Sequence, residues 1–145
     1  MAMAESTVPQ AKQKVRETLA GSFDDVEFDD QGGASFRYGS AHVFVSVREF
    51  DEDSSVVVLE SPVVRGAKVT PELYEFVATQ AAEHEFGHLI LRVEGDEATI
   101  VFTHTLLGDY LDDMELRVAA VAVAFTSDDL DDKLVAQFGG SLYHR

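Results

Sequence analysis

Residues 87–140 read GHLILRVEGDEATIVFTHTLLGDYLDDMELRVAAVAVAFTSDDLDDKLVAQFGG, and their punctuation decides the fold. Leu89, Leu91 and Val93 share one face, as do Ile100, Phe102 and His104. A period of two belongs to strands, and Glu94-Gly95-Asp96 between the two runs predicts a hairpin turn. Asp112 with Glu115 three residues on resembles a capping box, Asp standing in for Ser or Thr, and starts a helix. Apolar residues then surround the helix through Phe125, a pattern of heavy burial against the sheet or a second subunit. Ser127 is expected to cap a further turn or kink. Leu130, Leu134, Val135 and Phe138 make a last stripe, stopped by Gly139-Gly140. Ser141 to Arg145 then reads as a loose tail.

Upstream, helix two has its own signals: Thr70 as cap, Pro71 at the first helical position and Glu72 at the positive helix end. Its inner stripe is Leu73, Phe76, Val77 and Gln80-Ala81, and it is expected to end around His84 to Phe86, before Gly87. Ser35 to Tyr38, Ala41 to Phe50 and Ser55 to Val64 read as three consecutive antiparallel strands, turning at Gly39-Ser40 and at Asp51-Glu52-Asp53. Val43, Val45 and Val47 fall on one face of the middle strand; Phe44, Ser46, Arg48 and Phe50 fall on the other. The third, SSVVVLESPVV, is apolar on both faces as far as Glu60, which marks it as central, and pairing should weaken at Pro62. Helix one starts near Thr7, with Pro9 in its first turn. It carries Ala11, Val15 and Leu19 inward and ends at Gly21, with Phe23 beyond it as an anchor. The predicted order is α-βββ-α-ββ-α, an α+β sandwich with an antiparallel sheet. We expect one domain over residues 1–145, ordered from about 7 to 140 with a short tail at each end.

Composition narrows the function. The 145 residues carry 27 acidic against 11 basic side chains, a net charge of −16. Phosphate binding requires a positive surface, so nucleic acid is disfavoured, and anionic membranes for the same reason. Charge of this size serves solubility, salt adaptation or the attraction of basic partners, and charge alone does not choose among them. Cysteine is absent, which removes disulfides and thiolate metal sites. No apolar run reaches the roughly 18 residues of a membrane span, and MAMAESTVPQAKQKV has no secretory h-region. The cytoplasm is the expected compartment.

Three phrases in order, FTHTLLGDYLDD, MEL and SDDLDDKLVAQFGG, resemble the small YbjN proteins, grouped with the CesT-like chaperones of type III secretion. The resemblance spans roughly residues 32–140 and is densest after Pro71. It implies a non-enzymatic peptide- or protein-binding module, a homodimer whose client is a protein or peptide segment. The acidity suits a basic client. Phe36, Tyr38, Phe44 and Phe50 are the candidate peptide-binding residues on the sheet; ordinary core packing is the competing reading for each. Val118, Val121, Ala122 and Phe125 are the candidate dimer-interface residues, although one helix buried in a monomer would show the same pattern. A structural or regulatory adaptor with no client groove is a further reading.

One motif points elsewhere. His84-Glu85-Phe86-Gly87-His88 is a literal HExxH, which on a helix places two imidazoles on one face for zinc with Glu85 as general base. The enzyme needs that helix to run past His88, but LILRVEG follows, a strand pattern ending in a turn. Positions 91 and 94, where a metzincin-type site needs glycine and a third ligand, hold Leu91 and Glu94; Asp109 could serve a different zincin type, but nothing marks it. We therefore expect no catalytic, cofactor or metal residues, with a small zinc metallopeptidase as the alternative. His42 and His104 lie in strands without a partner at metal spacing. Asp128-Asp129 with Asp131-Asp132 lacks the ligand alternation of a calcium loop and reads as a solvated helical face.

Overall fold

A computed structural model describes residues 7–143, and the expectations for the extreme termini lie outside them. In chain order the elements are α1 (Val8–Ser22), β1 (Glu27–Phe28), β2 (Ala34–Tyr38), β3 (Ala41–Glu49), β4 (Ser55–Lys68), α2 (Pro71–Gln80), a 3₁₀ turn (Ala81–Glu83), β5 (His88–Glu94), β6 (Glu97–Leu107), α3 (Asp113–Phe138) and β7 (Ser141–Leu142). The strands form one antiparallel sheet in the order β1-β2-β3-β4-β6-β5, with β7 paired to the far end of β4. This is the α+β order expected, with two short strands added.

Register decides which side chains meet the helices. Val45 pairs with Leu59 and Leu59 with His104; Val47 pairs with Val57 and Val57 with Leu106. These rows share one core with Ala11, Val15 and Leu19 of α1, Leu73 of α2, and Leu116, Ala120, Val123 and Leu134 of α3. The helices therefore cover one face of the sheet. Each fully buried Leu or Phe adds about 1.5–3 kcal/mol of transfer free energy.

The caps work as read. Thr70 Oγ1 accepts from the Leu73 amide at 3.2 Å and Asp112 Oδ1 from the Glu115 amide at 2.7 Å, each worth about 1 kcal/mol. Gly95-Asp96 turns the last hairpin with Glu94 opposite Glu97. β4 continues beyond Pro62, taking register shifts at Pro62/Val64 and Val64/Ala67.

Three expectations are corrected. α2 ends at Gln80, short of His84, and gives way to the 3₁₀ turn. α3 runs unbroken through Ser127, which is buried against the sheet side instead of capping a new turn. The tail is not loose at its start: Ser141 and Leu142 pair with Arg65 and Val64, and the Arg65 guanidinium lies 4.7 Å from the Tyr143 ring centroid. Among the described residues no helix is long and apolar enough to cross a membrane.

Candidate functional site

The sheet face turned away from the helices carries its own apolar centre. Phe44, Glu60, Thr103 and His88 form one cross-strand row, and Pro62, Val101 and Ile90 another. Val56, Val58 and Val101 lie on this face and are buried, outside the helix-covered core cluster. Phe44 and Leu107 stand exposed on the same face. Arg92 reaches across β6 to both Glu60 carboxylate oxygens, at 2.8 and 2.9 Å. So exposed a pair contributes at most about 1 kcal/mol. Among the described residues β5 is an edge strand, paired with β6 alone.

The four aromatic candidates do not form one surface. Phe36 pairs with Val43 on the core row, is 1% exposed and stacks on Phe23 at 3.9 Å. It is a core residue, and its candidacy as a surface contact is withdrawn. Tyr38 has the same parity but lies near the sheet corner, where it is exposed. Phe44 is on the open face with its ring 4.3 Å from His42. Phe50 lies just past β3 and is 70% exposed. On α3, Val118, Val121 and Phe125 continue from Met114 in steps of four, three and four, all exposed. Ala122 is half-buried on the flank of this stripe.

A notch opens where β1 stops. β1 pairs only with Ser35 and Ala34, so among the described residues no strand pairs with β2 on its outer side at residues 36–38. Phe23, Phe36 and Tyr38 line a cavity of about 480 Å³ there, bordered by Asp24, Asp25 and Glu27. Ser22, the last residue of α1, also lines it, and the last turn of α1 holds no basic residue. The partial negative charge of a helix C-terminus thus adds to that of the carboxylates.

At the HExxH segment the backbone is not helical. His84 is extended, at φ −125° and ψ 130°, and Gly87 has φ +97°. A Cβ at Gly87 would lie 2.6 Å from the Phe102 ring and 2.8 Å from the Thr103 carbonyl oxygen. The glycine is there for close approach to β6, and the turn keeps His84 and His88 off a common helical face. His84 packs edge-on to Phe102 and Phe86 edge-on to His104. Burial, and secondarily the nearby His88, hold the His104 imidazole below its ordinary range. Among the described residues no three His, Cys, Asp or Glu side chains gather as metal ligands.

Two polar clasps were not foreseen. Asp109 Oδ1 accepts from the Ser55 amide at 3.0 Å and the Thr7 hydroxyl at 2.5 Å, joining the starts of α1 and β4 to the loop before α3. A Gly-Asp pair straight after a strand was the available signal. The second clasp corrects the reading of the α3 aspartates. Asp128 Oδ1 accepts from the Ser40 amide and hydroxyl at 2.9 and 2.8 Å, and the Ser40 hydroxyl also reaches Asp131, which is 5% exposed. Only Asp129 and Asp132 face solvent, Asp129 pairing with Lys133 at 3.2 Å. The signal lay in the spacing: Asp131 falls on the stripe Ala120, Ala124, Ser127, Leu134.

No curated protein matches the chain. Among solved structures, the fold is similar to the crystal structure of the ExsC–ExsE complex, with a TM-score of 0.63 over 90% of this chain and 97% of that one. Identity is 13%, so this likeness concerns the fold alone. A sequence model of one family matches residues 9–145, nearly the whole chain. With fold and sequence in agreement, the protein belongs to the T3SS (YopN, CesT) and YbjN peptide-binding chaperone 1 family.

Proposed function

We propose that this protein is a cytoplasmic, non-catalytic chaperone that holds an extended segment of a client protein against its open sheet face. The observation that carries the reading is the apolar side chains that the helix-free face leaves accessible, exposed Phe44 and Leu107 with half-buried Ile90, around the buried Val58 and Val101. Such a surface suits an extended chain, whose alternate side chains point the same way, and β5 offers an edge for backbone pairing. Family membership and likeness to a two-protein complex support a protein client. The net charge of −16 favours a basic one through long-range attraction. A metallopeptidase is disfavoured because the turn at Gly87 takes the two imidazoles of HExxH off a shared helical face.

The protein works as a homodimer in this proposal, through the α3 stripe of Met114, Val118, Val121 and Phe125 with Ala122 beside it. The support is the contrast within one helix: Leu116, Ala120, Val123 and Leu134 meet the sheet, while the opposite stripe stays apolar and exposed.

The client reading is tested by a photo-cross-linking residue at position 44 in the protein expressed in its native host. We expect a defined cross-linked chain, with recovery falling about tenfold or more when Ile90→Asp and Leu107→Asp are added, as for loss of central interface contacts. Unchanged recovery in a variant that keeps its melting temperature would overturn this use of the open face.

A further inference from the structure

We propose that the notch between the end of α1 and the free margin of β2 seats a basic side chain, arginine or lysine, of a bound extended segment. This rests on the client reading and adds a specific anchor to it. Two independent features converge there. The first is shape: the β1–β2 pairing stops at Glu27 opposite Ser35, leaving residues 36–38 of β2 without a strand on that side among the described residues, beside a cavity of about 480 Å³. An extended segment can run on along β2 from where β1 stops, its backbone pairing with that margin and one side chain turned into the cavity. The second is charge. Asp24, Asp25 and Glu27 border the cavity, and none of them takes part in an ion pair among the described residues. The carbonyl end of α1 adds partial negative charge at the same place.

The walls specify the shape of the cation. The half-buried Phe23 ring, backed by buried Phe36, and exposed Tyr38 present aromatic surface beside the acidic rim. Aliphatic stem on ring and charged head on carboxylates is how arginine and lysine divide their two ends, and an aromatic face attracts a cation in its own right. Arg37 and His42 line the same cavity and compete with an incoming cation. Three carboxylates against one guanidinium and one imidazole leave the rim negative. On the open face around Val101 the Glu60 carboxylate is already paired with Arg92, so apolar contact is made on the face and charge is read at the notch.

The test uses capped, fluorescein-labelled peptides Thr-Val-Thr-Xaa-Thr-Val-Thr, with arginine, lysine, glutamine, norleucine or glutamate at the centre. We expect the arginine and lysine peptides to bind about tenfold or more tighter than the others at low salt, the scale of a charge-assisted contact. Amide shifts in the ¹⁵N-labelled protein should concentrate at residues 22–27 and 36–38. In a D24N/D25N/E27Q variant the preference should shrink below about threefold, because these exposed carboxylates supply the attraction. Asparagine tolerates the positive φ of 54° at Asp25, which protects the fold. No detectable binding of the arginine peptide, equal binding of the norleucine peptide, a preference intact in the triple variant, or shifts confined to the sheet face would each overturn the assignment. The cross-link at position 44 separates the two readings. A client retained there without any basic preference would sink the notch alone, while peptide selectivity without a cross-linked chain would sink the client reading.

Discussion

Asp131 shows how much one residue's meaning depends on what faces it. In the sequence it is one of four aspartates in five positions; in the fold it is buried and reached by the hydroxyl of Ser40, far away in the β2–β3 turn. Its neighbour Asp128 takes the Ser40 amide and shares the same hydroxyl. The Ser40 hydroxyl thus lies within reach of two carboxylates, and with the Ser40 amide it fastens α3 to the hairpin. Ser40→Ala leaves Asp131 without that donor, a desolvation cost of about 1–3 kcal/mol. We expect the melting temperature to fall by about 2–4 °C for each kcal/mol, and Asp131→Leu added to Ser40→Ala to recover part of the loss. A single variant as stable as the parent would show that the clasp does not hold the hairpin. Phe36 makes the same point with opposite sign: a candidate contact residue turns out to be core, because its partner Val43 points to the helices.

At the scale of elements, the corner joining α2 to β5 decides between two chemistries. A helix continued through His88 would have put both imidazoles on one face; the backbone turns at Gly87 instead, because only glycine fits beside Phe102. The result is a small aromatic and histidine cluster in which Phe86 sits edge-on to His104. His104 titrates below its reference value of 6.5, mainly through burial and then through His88. A group depressed in the folded state contributes stability that is present above its unfolded pKa and lost as pH falls through the folded one. Stability should therefore decline as the solution is acidified from 6.5 downward, and His104→Gln should flatten that part of the profile. Melting temperatures at half-unit pH steps decide it; an identical slope in the variant would assign the loss to other groups. Asp113, held low by Lys14 and Thr18, acts only below the ordinary carboxylate range and does not confuse the window.

For the molecule as a whole, charge and apolar surface act in opposite directions with salt. Two copies carrying −16 each repel, so pairing through α3 should strengthen as salt screens them, whereas capture of a basic segment should weaken. Light scattering at micromolar concentration should give a dimer mass, with an interface of at least ~1,000 Å². V121D/F125D should give a folded monomer whose melting temperature falls only by the stabilisation lost with the dimer, since both side chains are exposed in the protomer. A monomer mass for the parent at high salt would remove the dimer from the account.

What the sequence determined by itself is what neighbours a few residues apart can encode. Thr70-Pro71 and Asp112 with Glu115 start helices, Gly39-Ser40 and Gly95-Asp96 turn hairpins, and the period of two in Val43, Val45 and Val47 assigns a face. These interactions close within one turn of chain, so the α-βββ-α-ββ-α order could be read from them. Only the tertiary structure decided which sheet face the helices cover and that β1 stops short of residues 36–38. It also decided that Asp128 finds Ser40 across 88 residues and that Asp24, Asp25 and Glu27 meet Phe23 and Tyr38 around one cavity. The physical reason is distance along the chain. A cap or turn is specified by the residues that make it, whereas a surface is specified by the register of strands and the docking of helices, which depend on the packing of the whole core at once.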